Sequence, residues 1–160
     1  MEEESEKRDD IKIEGDVATW DISAVGNIKG TYLGTFKFRC FLTPLQQIAA
    51  GREERALVGE NFSFAPEHEK FLAYALTQLK YRIISAPPFW SSANPNANMP
   101  GDLPDGEIVS LILGAAIDSE LKYKNEIKAR KEAAIDRAKK ANDAIIEAQK
   151  LEEELHGERD

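Results

Sequence analysis

The stretch Thr31-Tyr-Leu-Gly-Thr-Phe-Lys-Phe-Arg-Cys-Phe-Leu-Thr-Pro-Leu-Gln46 joins a strand pattern to a helix start within sixteen residues. Tyr32, Phe36, Phe38, Cys40 and Leu42 share one parity, and Thr31, Thr35, Lys37 and Arg39 occupy the other. Strand side chains alternate between faces, so this pattern predicts one buried face and one wet face. Gly34 interrupts the buried row and marks either a bulge or a place where a neighbouring side chain packs close. Thr43 then stands at an N-cap position, Pro44 at the first helical position, and Gln46 where a capping box takes Glu or Gln.

Upstream, Val17 to Val25 is rich in β-branched residues, and Gly26-Asn-Ile-Lys-Gly30 supplies residues that tolerate a tight turn. The two runs predict a β-hairpin, with Ile11 and Ile13 beginning a short edge strand. Residues 1–10 carry six carboxylates and two basic groups and nothing apolar beyond Met1, which predicts a flexible acidic arm. Downstream, Leu45, Ile48, Ala49, Arg52, Ala56 and Leu57 recur at helical spacing, with Gly59 as the stop. Phe71, Leu72, Ala75, Leu76, Leu79 and Ile83 form the stripe of a second helix that begins near Pro66 and ends at Pro87-Pro88.

A loop rich in Pro and Asn follows from Phe89 to Asp105, and Asp105 is placed to cap a third helix. From Glu107 to Leu155 there is no proline and the only glycine is Gly114. Unbroken, that helix would reach about 75 Å. Val109, Ile112, Leu113, Ala116 and Ile117 are apolar enough to pack on a core. Beyond Leu121 the helix is expected to sit in solvent, supported by acid-first pairs four residues apart: Asp118–Lys122, Glu120–Lys124, Glu126–Arg130 and Asp136–Lys140. The expected fold class is α+β, an N-terminal β-hairpin or small antiparallel sheet packed on two amphipathic helices, with a long projecting C-terminal helix. Three segments are expected: an arm over 1–10, a small domain over 11–121, and an extended charged helix and tail over 122–160.

A heptad-like row runs along this helix through Ala134, Ala138, Ala141, Ile145, Ala148 and Leu155, broken at Glu152; Ile127 extends it backwards across Lys131. Residues 122–140 carry eight basic and three acidic side chains, and 141–160 seven acidic and two basic. Such segregation favours antiparallel or head-to-tail contact between copies, because a basic band then meets an acidic tip. A solvated helix whose charges merely cluster is the plainer reading.

The formal charge of −8 disfavours general attraction to nucleic acid or anionic membrane, so neither is an expected partner. No apolar run is long enough to span a bilayer, the start lacks the apolar stretch of a secretion signal, and the single cysteine cannot form an internal disulfide. These features predict a soluble protein of a reducing interior. His68 and His156 lack metal-ligand spacing and are expected at the surface, while Cys40 and Trp20 are expected in the core. Arg52-Glu-Glu-Arg55 is expected to be a solvated helix face. No phosphate-cradling glycine loop is present. No catalytic residue, metal site or cofactor is expected. Phe89 and Trp90, after Pro87-Pro88, either cover the core or bind a partner, with core covering favoured.

The block Gly30 to Gly59, GTYLGTFKFRCFLTPLQQIAAGREERALVG, followed by a helix ending in APPFW and a charged helical tail, resembles small accessory proteins of tailed bacteriophages over residues 17–155. That resemblance implies a role in virion structure or tail assembly, in a virion or the bacterial host cytoplasm, without a cofactor and with no catalytic residues to carry over. The protein-contact residues expected are Phe89, Trp90, Ala134, Ala138, Ala141, Ile145, Ala148 and Leu155, with other protein subunits, or copies of this chain, as partners. The alternative is a cellular peptide-binding module or chaperone using the Phe89/Trp90 loop.

Overall fold

The computed structural model describes residues 10–91 and 103–158, so the arm and most of the 89–105 loop lie outside the described residues. The fold is α+β. Four strands, β1 (Lys12–Glu14), β2 (Val17–Val25), β3 (Thr31–Arg39) and β4 (Ile83–Ser85), form one antiparallel sheet in the order β1-β2-β3-β4. The helices are α1 (Pro44–Val58), α2 (Glu67–Arg82), a single turn α3 (Pro88–Ser91), and α4 (Gly106–Gly157). The chain divides into two compact units, Met1–Tyr123 and Lys124–Asp160, and α4 belongs to both.

In the first unit the predicted alternation holds. Ala18, Trp20 and Ile22 of β2 and Tyr32, Phe36 and Phe38 of β3 are buried, as is Cys40 just beyond, while Asp21, Ser23, Thr31, Thr35, Lys37 and Arg39 face water. The register pairs Trp20 with Phe36 and Ala18 with Phe38, which sets the aromatic rings side by side. Phe36 and Phe38 stack with centroids 5.7 Å apart, and Trp20 lies 6.1 Å from Phe36. The covering layer comes from Ala75 and Leu79 of α2 and from Ile108, Val109, Ile112, Leu113, Ala115 and Ala116 of α4. Each large aromatic or aliphatic side chain so enclosed contributes on the order of 1.5–3 kcal/mol.

The start of α1 is built as its sequence states: the Gln46 N–H donates to the Thr43 hydroxyl, and the Gln46 side-chain carbonyl accepts from the Thr43 N–H at 2.9 Å. Such a box is worth about 1 kcal/mol. Gly59, at φ +98, ends the helix where expected, its N–H donating to the Arg55 carbonyl.

Three expectations are corrected. The α1 stripe does not face the core: Leu45 is 79% and Ile48 54% exposed, Leu57 is exposed as well, and Ala50 is the buried residue. Instead α1 lies on α2, where Glu53 accepts hydrogen bonds from Lys80 (2.8 Å) and from the Tyr81 hydroxyl. The sheet therefore packs on α2 and the start of α4, with α1 outside them. Second, α2 stops at Arg82 rather than at the prolines, since Ile83–Ser85 turn into β4 and pair with Lys37 and Phe38 across a register shift. Third, Phe71 of the α2 stripe and Ile117 of α4 are exposed.

The acid-first pairs are realised differently along α4. Asp136 and Lys140 meet at 3.3 Å. Glu120 reaches across to Arg82 of α2 at 3.1 Å, and the Lys122 ammonium donates to the Ile11 carbonyl at 2.6 Å. Both contacts tie α4 to other parts of the first unit.

Candidate functional site

Phe89 and Trp90 fall in α3, just after β4. Trp90 is wholly buried, edge-on to Phe36 with centroids 5.9 Å apart, and its backbone N–H donates to the Pro87 carbonyl at 3.0 Å. Phe89 is half-buried, edge-on to Tyr32 at 5.1 Å and to Phe36 at 5.9 Å. Trp90 thus belongs to the core and, as a protein-contact residue, is corrected: it offers no surface to a partner. A wholly enclosed indole contributes through packing.

The second unit is the opposite case. From Lys124 to Glu158 every described residue except Glu126 is exposed. Ala134, Ala138, Ala141 and Ala148 are exposed, as are Ile127 (42%), Ile145 (57%) and Leu155 (65%), with Ile135, Ile146 and Leu151 beside them. Helical spacing sets Ala134, Ala138, Ala141, Ile145, Ala148 and Leu155 along one face, and no described residue covers them. Isolated helices gain little from propensity alone, and a contiguous apolar patch on the surface, unlike singly exposed aliphatic side chains, marks an interaction site.

A third arrangement was not evident in the sequence. Asp105, wholly buried just before α4, places its carboxylate in the Gly26–Gly30 turn. It accepts from the N–H groups of Ile28 (2.7 Å) and Lys29 (3.1 Å) and from the Tyr32 hydroxyl, while Glu107 accepts from the Asn27 N–H at 2.9 Å. Successive N–H groups in a turn form a concave anion site, and here the chain fills it with its own carboxylates. Gly26 is required by this contact, because a side-chain carbon there would overlap the Asp105 carboxylate and the Tyr32 ring. The signal that would have found it is the pairing of a glycine-flanked turn with carboxylates on either side of Gly106.

The electrostatics follow from the geometry. Burial by itself raises the Asp105 carboxyl, but the hydrogen bonds from Tyr32, Ile28 and Lys29 outweigh it and hold the group below its ordinary value of 3.8. The hydrogen bond to Asp105, with burial and the carboxylate charge, pushes the Tyr32 hydroxyl up to about 12. Hydrogen bonds from Lys80 and Tyr81 hold Glu53 below its ordinary value, and the bond to Glu53 raises Tyr81.

These shifts have opposite pH signatures. Asp105 is depressed in the fold, so its stabilisation is complete above about pH 3.8 and is lost as pH falls through the lower folded value. Tyr32 is raised, so its stabilisation is complete below pH 10 and is lost as pH climbs towards 12. In thermal melts across pH 7–12, Tyr32→Phe is expected to melt lower than wild type at neutral pH but to fall less steeply between 10 and 12. Tyr81 titrates alike in both chains, so the difference in slope belongs to Tyr32. Parallel curves would show that the Tyr32–Asp105 bond does not hold the turn.

Among the described residues, no group of three or more His, Cys, Asp or Glu stands close enough to hold a metal ion, and no helix is long and apolar enough to cross a membrane. His68 and His156 are exposed, and Cys40 is buried. No protein-family model, curated protein or solved structure matches the chain.

Proposed function

We propose that the chain is a non-catalytic structural or assembly protein that acts through protein–protein contacts made by residues 124–158 of α4. The observation that carries this reading is the uncovered aliphatic face of that segment, from Ile127 to Leu155, on a helix whose other faces are charged. The resemblance of Gly30–Gly59 and the helices after it to accessory proteins of tailed bacteriophages supports placing the role in a virion or in tail assembly in the bacterial host cytoplasm.

Sedimentation of the intact chain at low and high salt tests the proposal. Species larger than the 17.9 kDa monomer are expected, and their share should fall as salt rises because exposed charges are screened beyond about 10 Å at 0.1 M. Ile145→Asp combined with Ala138→Asp should return the chain to monomer and leave the thermal transition of the first unit in place. A monomer at every concentration, with no partner retained by the intact chain from an infected-cell lysate, would overturn the reading.

A further inference from the structure

We infer that the partner of the 124–155 face is a second copy of this chain, laid antiparallel so that Ala134 of each copy meets Ile145 of the other. The inference rests on the contact role proposed above and adds orientation and register to it. Two features of the exposed helix carry this arrangement.

The first is where the apolar row is interrupted. Lys131 and Glu152 occupy positions that the alternating three- and four-residue steps assign to the seam. If two copies lay parallel and in register, Lys131 would meet Lys131 and Glu152 would meet Glu152 inside the contact. Like charges facing one another at the centre of a seam are strongly disfavoured. In the antiparallel arrangement Ala138 faces Ala141, Ala134 faces Ile145, Lys131 faces Ala148 and Ile127 faces Glu152. No seam position then meets its own charge, and the large Ile145 is set against the small Ala134, which lets the helices close together.

The second is the charge on the flanks. The eight-to-three basic excess of 122–140 and the seven-to-two acidic excess of 141–160 would stack like on like in a parallel pair. In the antiparallel arrangement the basic band of each copy instead lies along the acidic tip of the other, twice over by symmetry. Opposite charges on exposed flanks select orientation more than they add affinity, and orientation is what is at issue here. The uncovered state of Ile127, Ile145 and Leu155 supplies the apolar area that the pairing removes from water.

Single-cysteine cross-linking of the full chain separates the arrangements. Cys40 is buried and stays in place, with the unsubstituted chain as the control. Ala134→Cys and Ile145→Cys are prepared as separate chains of distinguishable mass, oxidised alone and mixed. A disulfide needs Cα atoms within about 7 Å. In the antiparallel register equal positions lie eleven residues apart, about 16 Å along the axis. The mixture should therefore give a cross-linked heterodimer at least tenfold above the homodimer from either chain alone. Strong homodimers from both chains with no heterodimer would mean parallel pairing, and would overturn this inference while leaving self-association standing. Absence of any cross-link overturns the register. If sedimentation of the same variants also shows only monomer, self-association falls with it.

Discussion

Replacing Trp90 by alanine is expected to remove about 4 kcal/mol of folding stability, the cost of deleting a fully enclosed large aromatic and leaving its cavity. The indole touches Phe36 edge-on, and through Phe36 it supports the Trp20–Phe36–Phe38 cluster on the inner face of the sheet. It also packs α3 onto the sheet, whereas the backbone N–H of residue 90, which donates to the Pro87 carbonyl, is kept by alanine. Urea unfolding followed by far-ultraviolet circular dichroism measures the loss directly. A change below about 1 kcal/mol would place Trp90 at the surface, where a lone side chain seldom costs more, and would revive a role for it in gripping a peptide.

The second large effect is expected from a single methyl group. Gly34 sits at φ +151, where side chains are strained, and a carbon added to it would overlap the Pro87 ring. A proline ring cannot rotate aside, and Pro87 is itself buried directly before α3. Gly34→Ala must therefore push Pro87, and α3 with it, away from β3. Overpacking of this kind, added to the backbone strain, is expected to cost about 3 kcal/mol, which for a chain of this size lowers the melting temperature by roughly 10 °C. Differential scanning calorimetry of the intact chain would read it, and a shift under 2 °C would show that Pro87 has room to yield.

The sequence of β3 reported its two faces correctly because a half-buried antiparallel strand leaves its mark in every second residue. The Thr43 box and Gly59 were equally readable, since caps depend on residues a few positions apart. The two readings offered for Gly34 resolve in favour of close packing, and the packing neighbour is Pro87. The α1 stripe misled for a physical reason. Helical spacing says which side chains share a face, not what that face meets, and α1 meets α2 through the polar Glu53–Lys80–Tyr81 group while Leu45 and Ile48 stay exposed. β4 was missed because three residues, Ile83-Ile84-Ser85, are too few to show alternation and Ile83 continues the phase of α2. The Asp105 contact left least trace, because most of its partners are backbone N–H groups, which all residues but proline possess. Along α4 the row from Ala134 to Leu155 was visible at once, and the structure adds that nothing among the described residues covers it.

The bonds between the Gly26–Gly30 turn and the start of α4 join residues 76 to 80 positions apart. During synthesis the β2–β3 hairpin therefore leaves the ribosome well before the carboxylates that complete its turn. Until Asp105 and Glu107 emerge, the N–H groups of Asn27, Ile28 and Lys29 have only water, and an isolated hairpin is marginally stable at best. The turn of that hairpin is thus completed only by a segment made after β1, β4 and α2 are already available to the sheet. That places the closing step of the first unit late in translation, with an unshielded aromatic strand face as the feature that chaperones or aggregation would meet first.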